Sequence, residues 1–134
     1  MIGVYTPDDA DEWKGIVRAG VKLALMKEGL SGILPQSAAL GVDLTFRFQR
    51  PKSHWRTGRH SGKLKPSAPF FHTTKPDKDN LEKAFLDAVT KFGGLPPLIW
   101  PDDSQVCDGR TQKRYCEPGE DPGVEVAIYS LSER

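Results

Sequence analysis

Apolar and polar positions along this 134-residue chain alternate with two different periods, and each change of period marks an element. Trp13, Ile16, Val17, Gly20, Val21 and Ala24 recur at helical spacing, which predicts a helix with one buried face running to about Lys27. Asp8 or Asp9 caps its start, Asp9, Asp11 and Glu12 sit at the positive end of its dipole, and Gly29 stops it. Residues 1–7 predict a short strand ending at Thr6-Pro7, and residues 30–39 a connection. The period then drops to two. Leu40, Val42, Leu44, Phe46 and Phe48 alternate with Gly41, Asp43, Thr45, Arg47 and Gln49, the clearest strand in the chain. Residues 50–75, rich in Pro, Gly, Ser and basic residues, make a long loop of the kind that is functional or disordered.

Helical spacing returns in Leu81, Ala84, Phe85, Ala88 and Val89, predicting a helix from about Asn80 to Lys91. Asp79 is its expected N-cap, with Glu82 completing an acidic capping box, and Gly93-Gly94 end it. Residues 104–116 and 123–130 read as two antiparallel strands joined through Pro118-Gly119 and Pro122-Gly123. With no internal repeat and no boundary signal, one domain over 1–134 is expected, large enough to bury a core without disulfides. Cys107 and Cys116 match no zinc-binding spacing and read as free thiols of a cytoplasmic protein. No apolar run approaches the length of a membrane span, and the first residues do not begin a secretory signal.

Charge changes the picture. From Leu44 to Pro76 there is no acidic residue, whereas Arg47, Arg50, Lys52, Arg56, Arg59, Lys63, Lys65 and Lys75 all lie there, as do His54, His60 and His72. A formal net charge of +1 therefore conceals a basic window beside an acidic remainder. Such a window suits a polyphosphate backbone. Lys52, Arg56, Arg59, Lys63 and Lys65 are the expected phosphate contacts, joined by Arg50 and Lys75 at the ends, with Trp55 as a stacking platform. The competing reading is a solvated loop whose charges aid solubility. No spacing among the three histidines marks a metal-ligand set.

Immediately after the window come Asp77 and Asp79, and after the next helix Asp102 and Asp103. On an extended approach, residues two apart point the same way with Cα atoms about 7 Å apart. Lys83 shares a helix face with Asp79. A helix start wants these residues anyway, so a cap and a surface ion pair compete with a metal site. Were strand 104–116 to pair beside the helix start, Asp102 or Asp103 would close on Asp77 and Asp79. Hard oxygen ligands with no nearby His or Cys favour Mg²⁺ or Mn²⁺.

The run Pro76-Asp77-Lys78-Asp79-Asn80-Leu81-Glu82-Lys83, then Leu86-Asp87-Ala88, then Asp102-Asp103-Ser104-Gln105-Val106, resembles the RusA family of Holliday junction resolvases. The resemblance extends from about Pro51 to Ile128 and includes Arg114-Tyr115 and Pro122-Gly123-Val124-Glu125-Val126. It implies an α+β fold with a small mixed sheet packed against two helices, working as a homodimer. It also implies Mg²⁺-dependent resolution of four-way branched DNA by paired nicks, in recombination and repair. Carried over by position, Asp77, Asp79 and Asp103 are the metal-binding catalytic acids, Lys83 is the active-site lysine, and Asp102 is the alternative ligand. Asn80 and Asp87 match motif positions of structural character. Two departures stand out: the chain begins closer to its first helix than family members often do, and residues 94–99 lengthen the link to Asp102-Asp103. The rival expectations are a non-catalytic junction-binding protein of the same fold and a nuclease for other branched DNA.

Overall fold

The structure is a computed structural model and describes residues 10–30 and 32–131. The strand expected over 1–7 and the caps expected at Asp8 or Asp9 lie outside these residues. Helix α1, Ala10–Lys27, buries Trp13, Val17 and Val21 on one stripe. It ends where the sequence predicts. Gly29 adopts φ 68° and donates to Met26 O (3.1 Å), while Leu30 donates to Leu25 O (2.9 Å), closing the last turn as a glycine C-terminal cap does.

Strand β1, Leu40–Phe48, is the centre of a mixed four-stranded sheet. Its alternation holds: Leu40, Val42, Leu44 and Phe46 are buried while Asp43, Thr45 and Arg47 lie half-exposed on the other face. Strand β4, Gly123–Ser130, runs antiparallel along one edge, from Leu40↔Ser130 to Arg47↔Gly123. The other edge carries β2, Val106–Asp108, and then β3, Thr111–Tyr115, both parallel to β1.

The expected pair of strands over 104–116 and 123–130 is thus corrected twice. They flank β1 instead of pairing with each other, and the first is broken at Gly109-Arg110. A Cβ on Gly109 would lie 2.0 Å from Val42 O, so only glycine allows the approach, at φ 138°. Across the break the Asp43 carboxylate accepts the Arg110 amide (2.8 Å), and Leu44 donates to Arg110 O (2.9 Å). A side chain thereby replaces the interrupted ladder, satisfying an amide that would otherwise lose its partner.

Helix α2, Lys78–Thr90, buries Leu81, Ala84, Phe85, Ala88 and Val89, the stripe read from the sequence. It packs beside α1, with Lys14 3.7 Å from Asp87. The Arg18 guanidinium, buried between them, donates to the carbonyls of Ala88 and Pro96 at the helix exit. Its start differs from expectation. Asp77 is the N-cap residue, in extended conformation, and the helix begins as soon as Pro76 is passed. Asp79 lies inside the first turn, where its carboxylate accepts the Asn80 amide (3.0 Å), and the capping box with Glu82 does not form.

The two helices, the inner face of β1, Val124 and the buried Trp100 enclose one core, which also takes in Trp13. This is the α+β arrangement expected, a small mixed sheet against two helices. Cys107 and Cys116 are free thiols. No helix among the described residues is long and apolar enough to cross a membrane.

Candidate functional site

The basic loop carries local structure of its own. Single 3₁₀ turns at Lys52–His54 and Gly58–His60 bracket a hairpin-like excursion, closed by a Trp55↔Leu64 bridge. The Arg56 backbone amide donates to Lys63 O (2.8 Å) and that of Lys65 to His54 O (2.9 Å). Arg50 ties the loop's base to the sheet. The residue is 7% exposed, and its guanidinium donates to Cys116 O (2.7 Å) and Pro69 O (2.6 Å), with His54 Nδ1 at 3.4 Å and the Tyr115 ring beneath.

Arg47 is likewise committed. It bonds Glu120 (3.1 Å), which Arg114 also holds (2.7 and 2.9 Å), and it lies 3.5 Å from Glu125. These bonds, above all those from Arg114, hold the Glu120 carboxyl down at about 2. Of the basic window's cations, Lys52, Arg56, Arg59, Lys63, Lys65 and Lys75 are exposed, while Arg50 is spent inside. Trp55, expected as a platform, is half-buried.

The returning limb of the loop zips onto β3. Tyr115 donates to Phe70 O (2.8 Å), Phe71 bridges Arg114, and His72 donates to Lys113 O (3.3 Å). The His72 ring stacks on Phe48, centroids 3.8 Å apart, and meets Tyr115 edge-on. Burial there, with the Lys113 ammonium nearby, pushes the imidazole pKa below its ordinary value. Lys113 Nζ then donates to Thr74 O (2.6 Å), three residues before Asp77. Lys113 and the Phe70–His72 strap were missed by the sequence reading. Three residues inside a Pro- and Lys-rich loop are too few to show a period.

This strap delivers Asp77 and Asp79 to the head of α2, with Lys83 a turn further on. All three are exposed, and among the described residues none enters an ion pair. The Asp79–Lys83 bridge expected from their spacing is absent. The positive end of the helix dipole lies beside the carboxylates, which favours negative charge there, bound phosphate included.

Asp102 and Asp103 are placed differently. Asp102 caps the 3₁₀ turn Asp103–Gln105: it accepts the Ser104 amide (2.8 Å), and Gln105 Oε1 accepts the Asp102 amide (3.2 Å). The bond from Ser104 draws the Asp102 pKa below its ordinary value. Asp103 Oδ1 accepts the Trp100 indole N–H (3.1 Å) and lies 2.9 Å from the Thr90 hydroxyl. Thr90 is the last residue of α2, about 16 Å along its axis from Asp79. The fold therefore brings Asp77, Asp79 and Lys83 to one end of α2 and sets Asp103 at the other. Among the described residues, no three His, Cys, Asp or Glu gather as a metal cluster. The pair alone still fits a hydrated Mg²⁺, which is commonly held by one or two carboxylates with water and phosphate completing its shell.

The family model for endodeoxyribonuclease RusA matches residues 2–129, nearly the whole chain. The chain belongs to the RusA endodeoxyribonuclease family. Against curated proteins it is similar to the uncharacterized protein YqaN of Bacillus subtilis (strain 168), 45% identical over 60 residues. That match covers 45% of this chain and 36% of the relative, so it spans only about a third of YqaN's length. No solved structure matches. The matched span includes the exposed pair Asp77 and Asp79 as well as Asp102 and Asp103.

Proposed function

We propose that this RusA-family chain is one nuclease domain that cuts four-way branched DNA by paired nicks, as a Mg²⁺-dependent homodimer in the cytoplasm, with Mn²⁺ as a substitute. The observation that carries this is the head of α2. Two exposed carboxylates and an exposed lysine, none in an ion pair among the described residues, stand there at the end of a strap leading out of an all-basic loop.

Asp77 and Asp79 would hold the ion, which supplies water activation and charge neutralisation at the scissile phosphate. Lys83, on the second turn of α2, offers an ammonium to the negative charge that builds on the phosphate. Lys52, Arg56, Arg59, Lys63, Lys65 and Lys75 offset the charge of the backbone on either side. A twofold dimer suits a junction, since two identical sites address two symmetry-related strands. Asp103, the third acid implied by the family motif, contributes in this fold by tying the Trp100 turn to the end of α2.

The test is cleavage of a synthetic four-way junction with Mg²⁺, wild type against Asp79→Asn. Cutting that survives the substitution undiminished would remove the pair from the chemistry. The separation of Asp103 from the other acids favours one second reading, a junction-binding protein without turnover. Tight binding with no nick in either Mg²⁺ or Mn²⁺ would establish that reading instead.

A further inference from the structure

Phe70 and Phe71 are large aromatics left open to solvent, 43% and 54% exposed, in a chain whose other aromatics on the same strap and on β3 are packed. Their rings meet edge to face at 4.9 Å, and the Arg114 guanidinium lies 5.6 Å from the Phe70 centroid. Arg114 is itself fixed by two bonds to Glu120. The backbone beneath is fixed too, through Tyr115 to Phe70 O and the Phe71↔Arg114 bridge. The pair is therefore a braced apolar face, and holding it in place costs little further entropy on binding.

Its surroundings name the ligand. The limb that bears it closes the basic loop upstream and runs into Lys75, Asp77 and Asp79 downstream. Phe71 is six residues from Asp77, a reach of at most about 20 Å. That corresponds to roughly six nucleotides of a strand at 3.4 Å each. An apolar aromatic face between phosphate-binding cations and phosphate-cutting acids suits a nucleobase π-face. In a linear duplex those faces are stacked away, whereas a branch point exposes them.

We propose that Phe71, braced by Phe70 and Arg114, stacks on an unstacked base at the branch point and so lets the protein prefer junctions over duplex. This rests on the branched-DNA reading above. It is distinct from the metal chemistry, because it concerns which DNA is held.

The experiment places 2-aminopurine at each branch-point position of a synthetic four-way junction and follows its fluorescence in EDTA, where no strand is cut. Wild type is expected to quench one position on binding. Phe71→Ala should lose that quench and about tenfold of the preference for junction over duplex, since stacking contributes on the order of 1–3 kcal/mol per base. Phe71→Leu keeps apolar bulk but has no π-face. It should melt like wild type and still lose the quench, while Phe71→Trp restores it. A Phe71→Leu protein that quenches as wild type does overturns the inference. So does a loss of junction and duplex affinity in equal measure, or a change only in oligomeric state. A wild type with no preference for junctions at all sinks the branched-DNA reading itself, and that outcome is visible before any variant is made.

Discussion

Asp77 with Asp79 and Asp102 with Asp103 are two pairs of aspartates at opposite ends of one helix, and their surroundings differ in kind. The first pair stands in solvent and, among the described residues, enters no ion pair, with the Asn80 amide donating to Asp79. The second is half-buried and bonded: Asp102 to the turn it caps, Asp103 to a buried indole and beside a buried hydroxyl. A carboxylate whose oxygens are already satisfied holds a fold together, whereas one left open beside a helix N-terminus is available to a ligand. The same contrast runs through the basic window. Arg47 and Arg50 are bound into the sheet and the loop base, while the remaining cations face water.

Breaking the comparison begins with the largest effect. Asp79→Asn is expected to lower junction cutting at saturating Mg²⁺ by at least about 100-fold, because ions of this kind supply several kcal/mol to the transition state. Its melting temperature should stay at the wild-type value, since an exposed substitution usually moves stability by no more than about 0.5 kcal/mol. Asp103→Ala should do the reverse in kind. It leaves the Trp100 indole N–H buried and unpaired, a cost of about 1–3 kcal/mol, read as a lower urea midpoint.

Smaller effects sharpen the contrast between bound and open cations. Replacing Arg56 and Arg59 together by Ala should weaken junction binding and reduce the slope of log affinity against log salt by about 2. An unchanged slope would take the loop out of the interface. Arg50→Ala should instead lower stability, leaving carbonyls of Cys116 and Pro69 without their donor.

The smallest effect is in acid. The folded protein keeps Glu120 ionised down to about 2, against 4.5 for the ordinary group, so the unfolded chain takes up this proton first as pH falls. The stabilisation is present above 4.5 and lost as pH drops through 2. The stability gap between wild type and Glu120→Gln should therefore narrow over that range. His72 acts in the same direction at higher pH. Its folded pKa lies below 6.5, so the unfolded chain again binds the proton first and stability declines as pH falls below 6.5. His72→Phe, which keeps an aromatic ring on Phe48, should flatten that decline in urea midpoints measured from pH 7 to pH 5.

β1 and the buried stripe of α2 were legible because each repeats its period over several residues and buries one face. The break between β2 and β3 was not, because it comes from the close approach of Gly109 to Val42 O, a contact between residues far apart in sequence. The head of α2 was read two residues late, since by residue type Asp77 and Asp79 are equally good caps. The separation of the motif acids was not legible: Asp79 lies in the first turn of α2, and Asp103 beside its last residue, Thr90. Composition counted Arg47 and Arg50 with the exposed cations, although Glu120 and the carbonyls of Pro69 and Cys116 had claimed them.

The central claim is that the open pair, not the bonded one, holds the metal. Its most direct test is the Mg²⁺ dependence of junction cutting for wild type, Asp79→Asn and Asp103→Asn, with the melting temperature of each recorded alongside. The account predicts that Asp79→Asn loses cutting at every Mg²⁺ concentration while melting normally, and that Asp103→Asn keeps the wild-type half-saturating Mg²⁺. An Asp103→Asn protein that melts like wild type yet loses cutting as completely as Asp79→Asn would contradict it.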